Sequence, residues 1–275
     1  MTDLPALTKT FREASGFIPD EGSVYVSGAS LEDRSEHTIS WKNNCRNVEF
    51  CTVEKENFDA VQFASDKLTR KSVSLRSMVQ LKDYWRQIET DDIYIDITGL
   101  RHGTWAGLLR GLSELSPRRL RIVYVEPESY RMNPHPTQNQ IFDLSEDCLS
   151  VKPLPGFARL RRDTTQGVFA PLLGFEGTRL LFLINALEPA GQLIFPIVGV
   201  PGYRPEYPFV TYWANRTALR QTESWKKAIF APAICPFATL NAINGLKAKY
   251  PGSTLTLGVH SHSTDMFASK LHSSL

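Results

Sequence analysis

Ile93-Tyr94-Ile95-Asp96-Ile97-Thr98-Gly99-Leu100-Arg101-His102-Gly103-Thr104-Trp105-Ala106-Gly107-Leu108-Leu109 is the stretch from which the fold is read. Ile93, Ile95 and Ile97 are β-branched and Tyr94 also suits a strand, so the opening residues predict a short buried strand. Thr98 to Gly103 reads as a turn that holds two glycines and two side chains able to carry positive charge, Arg101 and His102. Thr104 is placed to cap a helix whose apolar side is Trp105, Leu108, Leu109 and Leu112. A strand that passes through such a turn into a helix is where α/β proteins bind ligands. The helix start offers unpaired N–H groups and partial positive charge, and glycine lets backbone approach an anion. The same Gly and Thr residues also suit a turn built for geometry alone.

Working outward, Ser23 to Ser27 predicts a first strand that ends in a small-residue turn, Gly28 to Ser35. Ser27, Gly28 and Ser30 can present backbone and hydroxyl donors there. Glu32, Asp33 and Arg34 suit ligand contact, an ion pair that holds the turn, or a solvated face. Asn47 to Val53 alternates like a strand, Asn57 to Gln87 reads as broken helical material, and Leu120 to Val125 is the next strand, ending in Glu126-Pro127. Strands alternating with helices predict a mainly parallel, Rossmann-like α/β sheet. Its crevice lies outside the carboxyl ends of the strands, which would gather Ser27 to Ser30, Gly99 to Thr104 and Glu126.

Met132-Asn133-Pro134-His135-Pro136 and Lys152-Pro153-Leu154-Pro155-Gly156 are rich in breakers. They divide the chain into an N-terminal Rossmann-like half at 1–129, a Pro-rich crossover at 130–165 carrying one or two antiparallel strands, and a second half at 166–275. In that second half Gly177 to Ala186 reads as a buried helix, with a strand as the alternative. Leu193 to Gly199 reads as a strand in which Pro196 predicts an edge or a bulge. A helix from Pro205 to about Arg220, a strand at Ala228 to Ala231, a helix from Pro236 to Tyr250 and a strand from Ser253 to Val259 follow. His260-Ser261-His262-Ser263-Thr264-Asp265 then leads into a closing helix. His262 and Thr264 echo His102 and Thr104 at an offset of 160, as a duplicated half would.

The remaining chemistry is defined largely by exclusion. The chain has 275 residues, an apolar fraction of 42% and a net charge of only +2, which gives no strong case for duplex nucleic acid. Four cysteines form no CxxC pair, and His260-Ser261-His262 has no carboxylate at strong ligand spacing beyond Asp265, so no metal is expected. P-loop, GxGxxG and nucleophile-elbow patterns are absent, so no cofactor is expected. Met1 to Asp20 does not read as a leader, and the longest apolar run, Leu180 to Ile184, is too short to span a bilayer. A cytoplasmic protein that makes no membrane contact is the expectation.

Ile95-Asp96-Ile97-Thr98-Gly99, followed by a polar turn and a helix, resembles the signature of the CRISPR-associated Rossmann-fold (CARF) sensors. There a strand ending in Asp-hydrophobic-Thr-Gly leads into a turn that usually continues Gly-Thr-Lys. Val26 to Ser30 lies where those sensors keep their first ligand loop. The related SAVED domains join two such halves in one chain, in keeping with the echo. Here Leu100-Arg101-His102-Gly103-Thr104 replaces Gly-Thr-Lys, so Arg101 would supply the missing lysine's charge.

The resemblance implies recognition of a cyclic oligonucleotide or another nucleotide-type anion in bacterial anti-phage signalling, with a protein partner or a homo-oligomer. The expected ligand set is Ser27, Gly28, Ser30, Gly99, Arg101, His102, Gly103, Thr104, His260, His262 and Thr264. Two other functions fit the sequence. One is a nucleotide-processing phosphodiesterase or glycosidase that uses His102 or His262 as acid or base. The other is a non-catalytic adaptor subunit.

Overall fold

The computed structural model describes residues 8–28, 33–65, 71–88, 90, 92–115, 117, 119–137, 140–142, 153–157 and 167–259. The described residues up to Pro127, with 153–157, form one compact unit, and 128–142 with 167–259 form a second. Both are α/β, and their sheets are mainly parallel.

In the first unit the strands are β1 (Val24–Gly28), β2 (Glu49–Glu56), β3 (Ala60–Ser65), β4 (Lys71–Ser74), β5 (Asp92–Asp96) and β6 (Arg119–Val123). Their order in the sheet is β4-β3-β2-β1-β5-β6. β1 runs parallel to β2 and β5, and β5 runs parallel to β6, whereas β2, β3 and β4 are antiparallel neighbours. Every residue from Ile93 to Leu100 is buried, as expected of a parallel strand covered on both faces. The chain leaves β1 towards β2 on one side and returns through α1 (Met78–Trp85) to β5 on the other. That reversal makes the carboxyl ends of β1 and β5 a topological switch point.

Among the described residues the crossover between β1 and β2 holds two 3-10 segments, Asp33–Ser40 and Lys42–Asn44. Ser, Thr, Asn and Asp recur through this stretch and compete for backbone hydrogen bonds, which disfavours a longer α-helix. Trp41, wholly buried between the two segments, pins them to the sheet through edge contacts with Phe17 and Tyr25.

Three local expectations are corrected here. Ala60–Ser65 and Lys71–Ser74 are antiparallel strands and not helical material: Val61 and Phe63 alternate inward, and pairing to β2 overrides the helix-forming alanines. For the N-terminal arm, Met1 to Gly22, the sequence suggests a short helix near Leu7 to Ala14; among its described residues the one helical turn is the 3-10 turn Ala14–Gly16. α2 (His102–Ser113) begins two residues before Thr104. Its N-cap is Arg101, which makes no side-chain capping bond, and Thr104 is buried inside the first turn. Trp105, Leu108, Leu109 and Leu112 do form its buried face.

Cys51 on β2 and Tyr84 on α1 meet in the core with sulfur and hydroxyl oxygen 2.7 Å apart. Burial pushes the Cys51 thiol up to about 11, against a small lowering by Tyr84. A native protein therefore carries about a hundredfold less Cys51 thiolate at neutral pH than an ordinary cysteine would. Cys51 is expected to resist iodoacetamide at pH 8 until the protein is denatured, as read by peptide mass mapping. Rapid native labelling would contradict this. The raised value also fixes the sign of a stability effect. Its contribution is complete below about pH 8.5 and is lost as pH rises towards 11, because the unfolded chain releases the proton first.

The second unit holds a small antiparallel pair, β7 (Met132–Thr137) with β8 (Gln140–Phe142). It also holds β9 (Gly167–Leu172), α3 (Gly177–Leu187), β10 (Ile197–Gly199), α4 (Tyr207–Gln221), β11 (Ile229–Ala231), α5 (Pro236–Lys249) and β12 (Thr254–Val259). The strand order is β11-β10-β9-β12, parallel throughout. β9 and β12 thus flank a second switch point. Pro196 does not mark an edge, because β10 lies between β9 and β11. It sits in an interruption of the ladder, between the isolated Phe169–Ile194 bridge and the start of β10, where its missing N–H breaks no strand pairing.

Candidate functional site at the β1–β5 switch point

The end of β1 and the turn after β5 meet in backbone contact. A Cβ on Gly28 would stand 2.5 Å from the Gly99 carbonyl oxygen, and one on Gly99 would stand 2.4 Å from that of Gly28. The two glycines therefore serve the close approach of the two turns to each other.

Beneath them lies a buried polar hub centred on Asp96, which is 2% exposed. Its Oδ2 accepts from the Tyr25 hydroxyl at 2.9 Å and from His37 Nε2 at 2.7 Å. Its Oδ1 accepts from the Thr98 N–H at 2.9 Å. Trp41 Nε1–H donates to His37 Nδ1 at 3.3 Å, so the ring proton sits on Nε2 and faces the carboxylate. Burial first, and then the Asp96 charge, hold the Tyr25 hydroxyl protonated well above its usual range, so it stays a donor. With both ring nitrogens engaged and its side chain only 4% exposed, His37 positions the crossover.

A second chain of bonds fixes the neighbouring wall. Arg34 donates to the Tyr124 hydroxyl at 2.9 Å and to the Val125 carbonyl at 3.1 Å, and the Tyr124 hydroxyl donates to Glu126 at 2.8 Å. These bonds tie Arg34, in the 3-10 segment after β1, to the residues that follow β6. The Val125 N–H donates to Thr98 Oγ1 at 3.0 Å, which joins the β5 turn to the same place.

Arg101 and His102 are exposed at the start of α2, and the His102 ring lies edge-on to Trp105. The Arg101 N–H donates to Glu56 Oε2 at 2.9 Å, so a carboxylate from the end of β2 occupies the helix start. Gly103 is half-buried, and a Cβ there would lie 3.3 Å from Pro155. Ser27 is half-buried on β1. Ser27 and Gly28 thus end β1, while Gly99, Arg101, His102 and Gly103 lie along the turn after β5 and the start of α2. Thr104 turns into the core. Ser30, His260, His262 and Thr264 lie outside the described residues.

The sequence reading missed His37, Tyr25, Trp41 and Glu56. The His37/Trp41 spacing of four residues was the one local signal, since it sets both rings on the same side of a helical segment. Among the described residues, no three or more His, Cys, Asp or Glu side chains are grouped to hold a metal ion. No described helix is long and apolar enough to cross a membrane. Compared with known proteins, the chain matches no family model, no curated protein and no solved structure.

Proposed function

We propose that this protein binds a nucleotide-type anion, of the cyclic-oligonucleotide class, at the turns after β1 and β5. Binding then biases its association with a partner in bacterial anti-phage signalling. The observation that carries this reading is the convergence of the Gly28 and Gly99 turns at the switch point, with exposed Arg101 and His102 opening α2 beside it. The buried hub makes the floor under those turns rigid, and a preformed floor lowers the ordering cost of binding.

Arg101 is the phosphate contact in this reading, since its planar fork matches paired phosphate oxygens. Glu56 is the internal competitor, because its carboxylate already accepts from the Arg101 N–H. The two mainly parallel sheets, each with a switch point, support a reading of two Rossmann-like halves. β5 and β12 each lie beside the first parallel strand of their own sheet, in keeping with the echo of their following turns. The defence setting rests on the Ile95 to Gly99 resemblance. In the catalytic alternative His102, exposed at the start of α2 and edge-on to Trp105, would be the acid or base, while His262 lies outside the described residues.

Thermal shift against mono-, di- and cyclic oligonucleotides tests the reading. A ligand at a hundred times its dissociation constant stabilises by about 2.7 kcal/mol. With that ligand, Arg101→Ala should weaken binding by about 1.5–3 kcal/mol in calorimetry. Glu56→Gln, which keeps the shape and removes the charge, should tighten it by roughly threefold or more. No shift with any nucleotide overturns the reading, and a shift that Arg101→Ala leaves unchanged removes Arg101 from the site.

A further inference from the structure

α4 buries Tyr207, Thr211, Ala214, Asn215, Ala218 and Leu219. Its opposite side is unusual. Phe209 is 77% exposed and Trp213 is 50% exposed, and Arg216, Arg220 and the N-cap residue Glu206 are exposed in line with them. Positions 206, 209, 213, 216 and 220 step by three, four, three and four residues, the spacing of a single seam along a helix. The Arg216 guanidinium lies over the Trp213 ring, 4.4 Å from its centroid, so cation and aromatic share one surface.

The order of charges along this seam selects the occupant. Glu206 lies seven residues before Trp213 and Arg220 seven residues after it. At 1.5 Å rise per residue each charge is about 10 Å from the central tryptophan. A second α4 laid antiparallel, with a two-fold axis at Trp213, therefore sets each Glu206 against the partner's Arg220 and each Phe209 close to the partner's Arg216. A parallel pair would instead stack Arg216 and Arg220 on their own copies. Antiparallel helices also oppose their dipoles favourably. The acidic start and basic end are self-complementary only across such an axis, as an isologous interface requires.

We propose that this face of α4 is a homodimer interface in which a second copy of the chain packs antiparallel across Trp213. One helix pair sits at the small end of stable interfaces, so a dissociation constant on the order of micromolar is expected and not an obligate dimer. The proposal is independent of nucleotide binding and is tested without ligand.

Sedimentation equilibrium of the full chain should show reversible association to twice the chain mass. Trp213→Ala should weaken it by roughly tenfold or more. Glu206→Arg and Arg220→Glu should each weaken it by about tenfold, and the two together in one chain should restore it to near wild type, because each reversed charge then meets its opposite. Glu206 makes no side-chain capping bond but lies 3.9 Å from Arg204, an exposed ion pair that Glu206→Arg removes, so unchanged melting temperatures check the fold of every variant. A wild type that stays monomeric, a dimer indifferent to Trp213→Ala, or a double charge reversal that stays as weak as the single ones would each overturn the proposal. In the first case the seam would belong to a different protein.

Discussion

Asp96→Ala is expected to destabilise the unit containing the β1–β5 switch point by about 3–5 kcal/mol, measured by denaturant unfolding. The substitution strands three donors that have no water to turn to. The Tyr25 hydroxyl, His37 Nε2–H and the Thr98 N–H all end on this one buried carboxylate. Each stranded donor costs about 1–3 kcal/mol. The loss also spreads through the fold. His37 belongs to the crossover between β1 and β2, so releasing it frees the segment that Trp41 pins. Trp41 fluorescence should report that release directly.

Asp96→Asn separates charge from shape. One oxygen can still accept from Thr98, but the new NH2 faces two donors and cannot accept from either. Its cost should approach that of alanine. Tyr25→Phe removes one bond and leaves the carboxylate its two others, so about 1 kcal/mol is expected. An Asp96→Ala protein within about 1 kcal/mol of wild type would show that the hub does not hold the crossover.

The depth at which the sequence could be read follows the range of the interactions concerned. The β5-turn-α2 unit was legible because its evidence is local: alternating isoleucines, then a turn, then Trp105, Leu108, Leu109 and Leu112 on one face. The mainly parallel α/β character followed from the alternation of strands and helices, whereas the strand orders that define both switch points are set by tertiary pairing. The hub was not legible, since His37 and Asp96 are 59 residues apart and Tyr25 and Asp96 are 71 apart. Only the sheet order brings them together. Glu56 reaches Arg101 across 45 residues, so the anionic group at the start of α2 was invisible in the motif itself. The β3–β4 hairpin was misread for a related reason. Its composition allows a helix, and the pairing with β2 that decides otherwise is tertiary. Residue type alone favours Thr104 as the cap, whereas the observed N-cap is Arg101, in extended backbone with no side-chain capping bond.

Gly99→Ala is expected to cost about 2–4 kcal/mol, for a reason unrelated to conformational freedom in the turn. Its Cβ would meet the Gly28 carbonyl oxygen at 2.4 Å and Ser35 Cβ at 3.1 Å. The first obstacle is backbone at the end of β1, paired in register with β2, so it cannot rotate aside as a side chain would. Gly28→Ala meets the Gly99 oxygen and the Leu100 side chain, each at 2.5 Å, and should cost a similar amount. The two changes act on one gap. Once the first methyl has spread the turns, the second needs less, so the double variant should fall short of the sum by about 1 kcal/mol or more. Gly245→Ala supplies the contrast. It lies exposed in α5 with nothing within 4 Å of a new Cβ, and should stabilise by roughly 0.5–1 kcal/mol through helix propensity alone. If Gly99→Ala were as mild as Gly245→Ala, the turns would be free to part, and the switch point would be an open cleft. A large cost at Gly99 together with a sub-additive double variant would mean that β1 and β5 end in a closed contact, and that any ligand must bind on its outer side, beside Arg101.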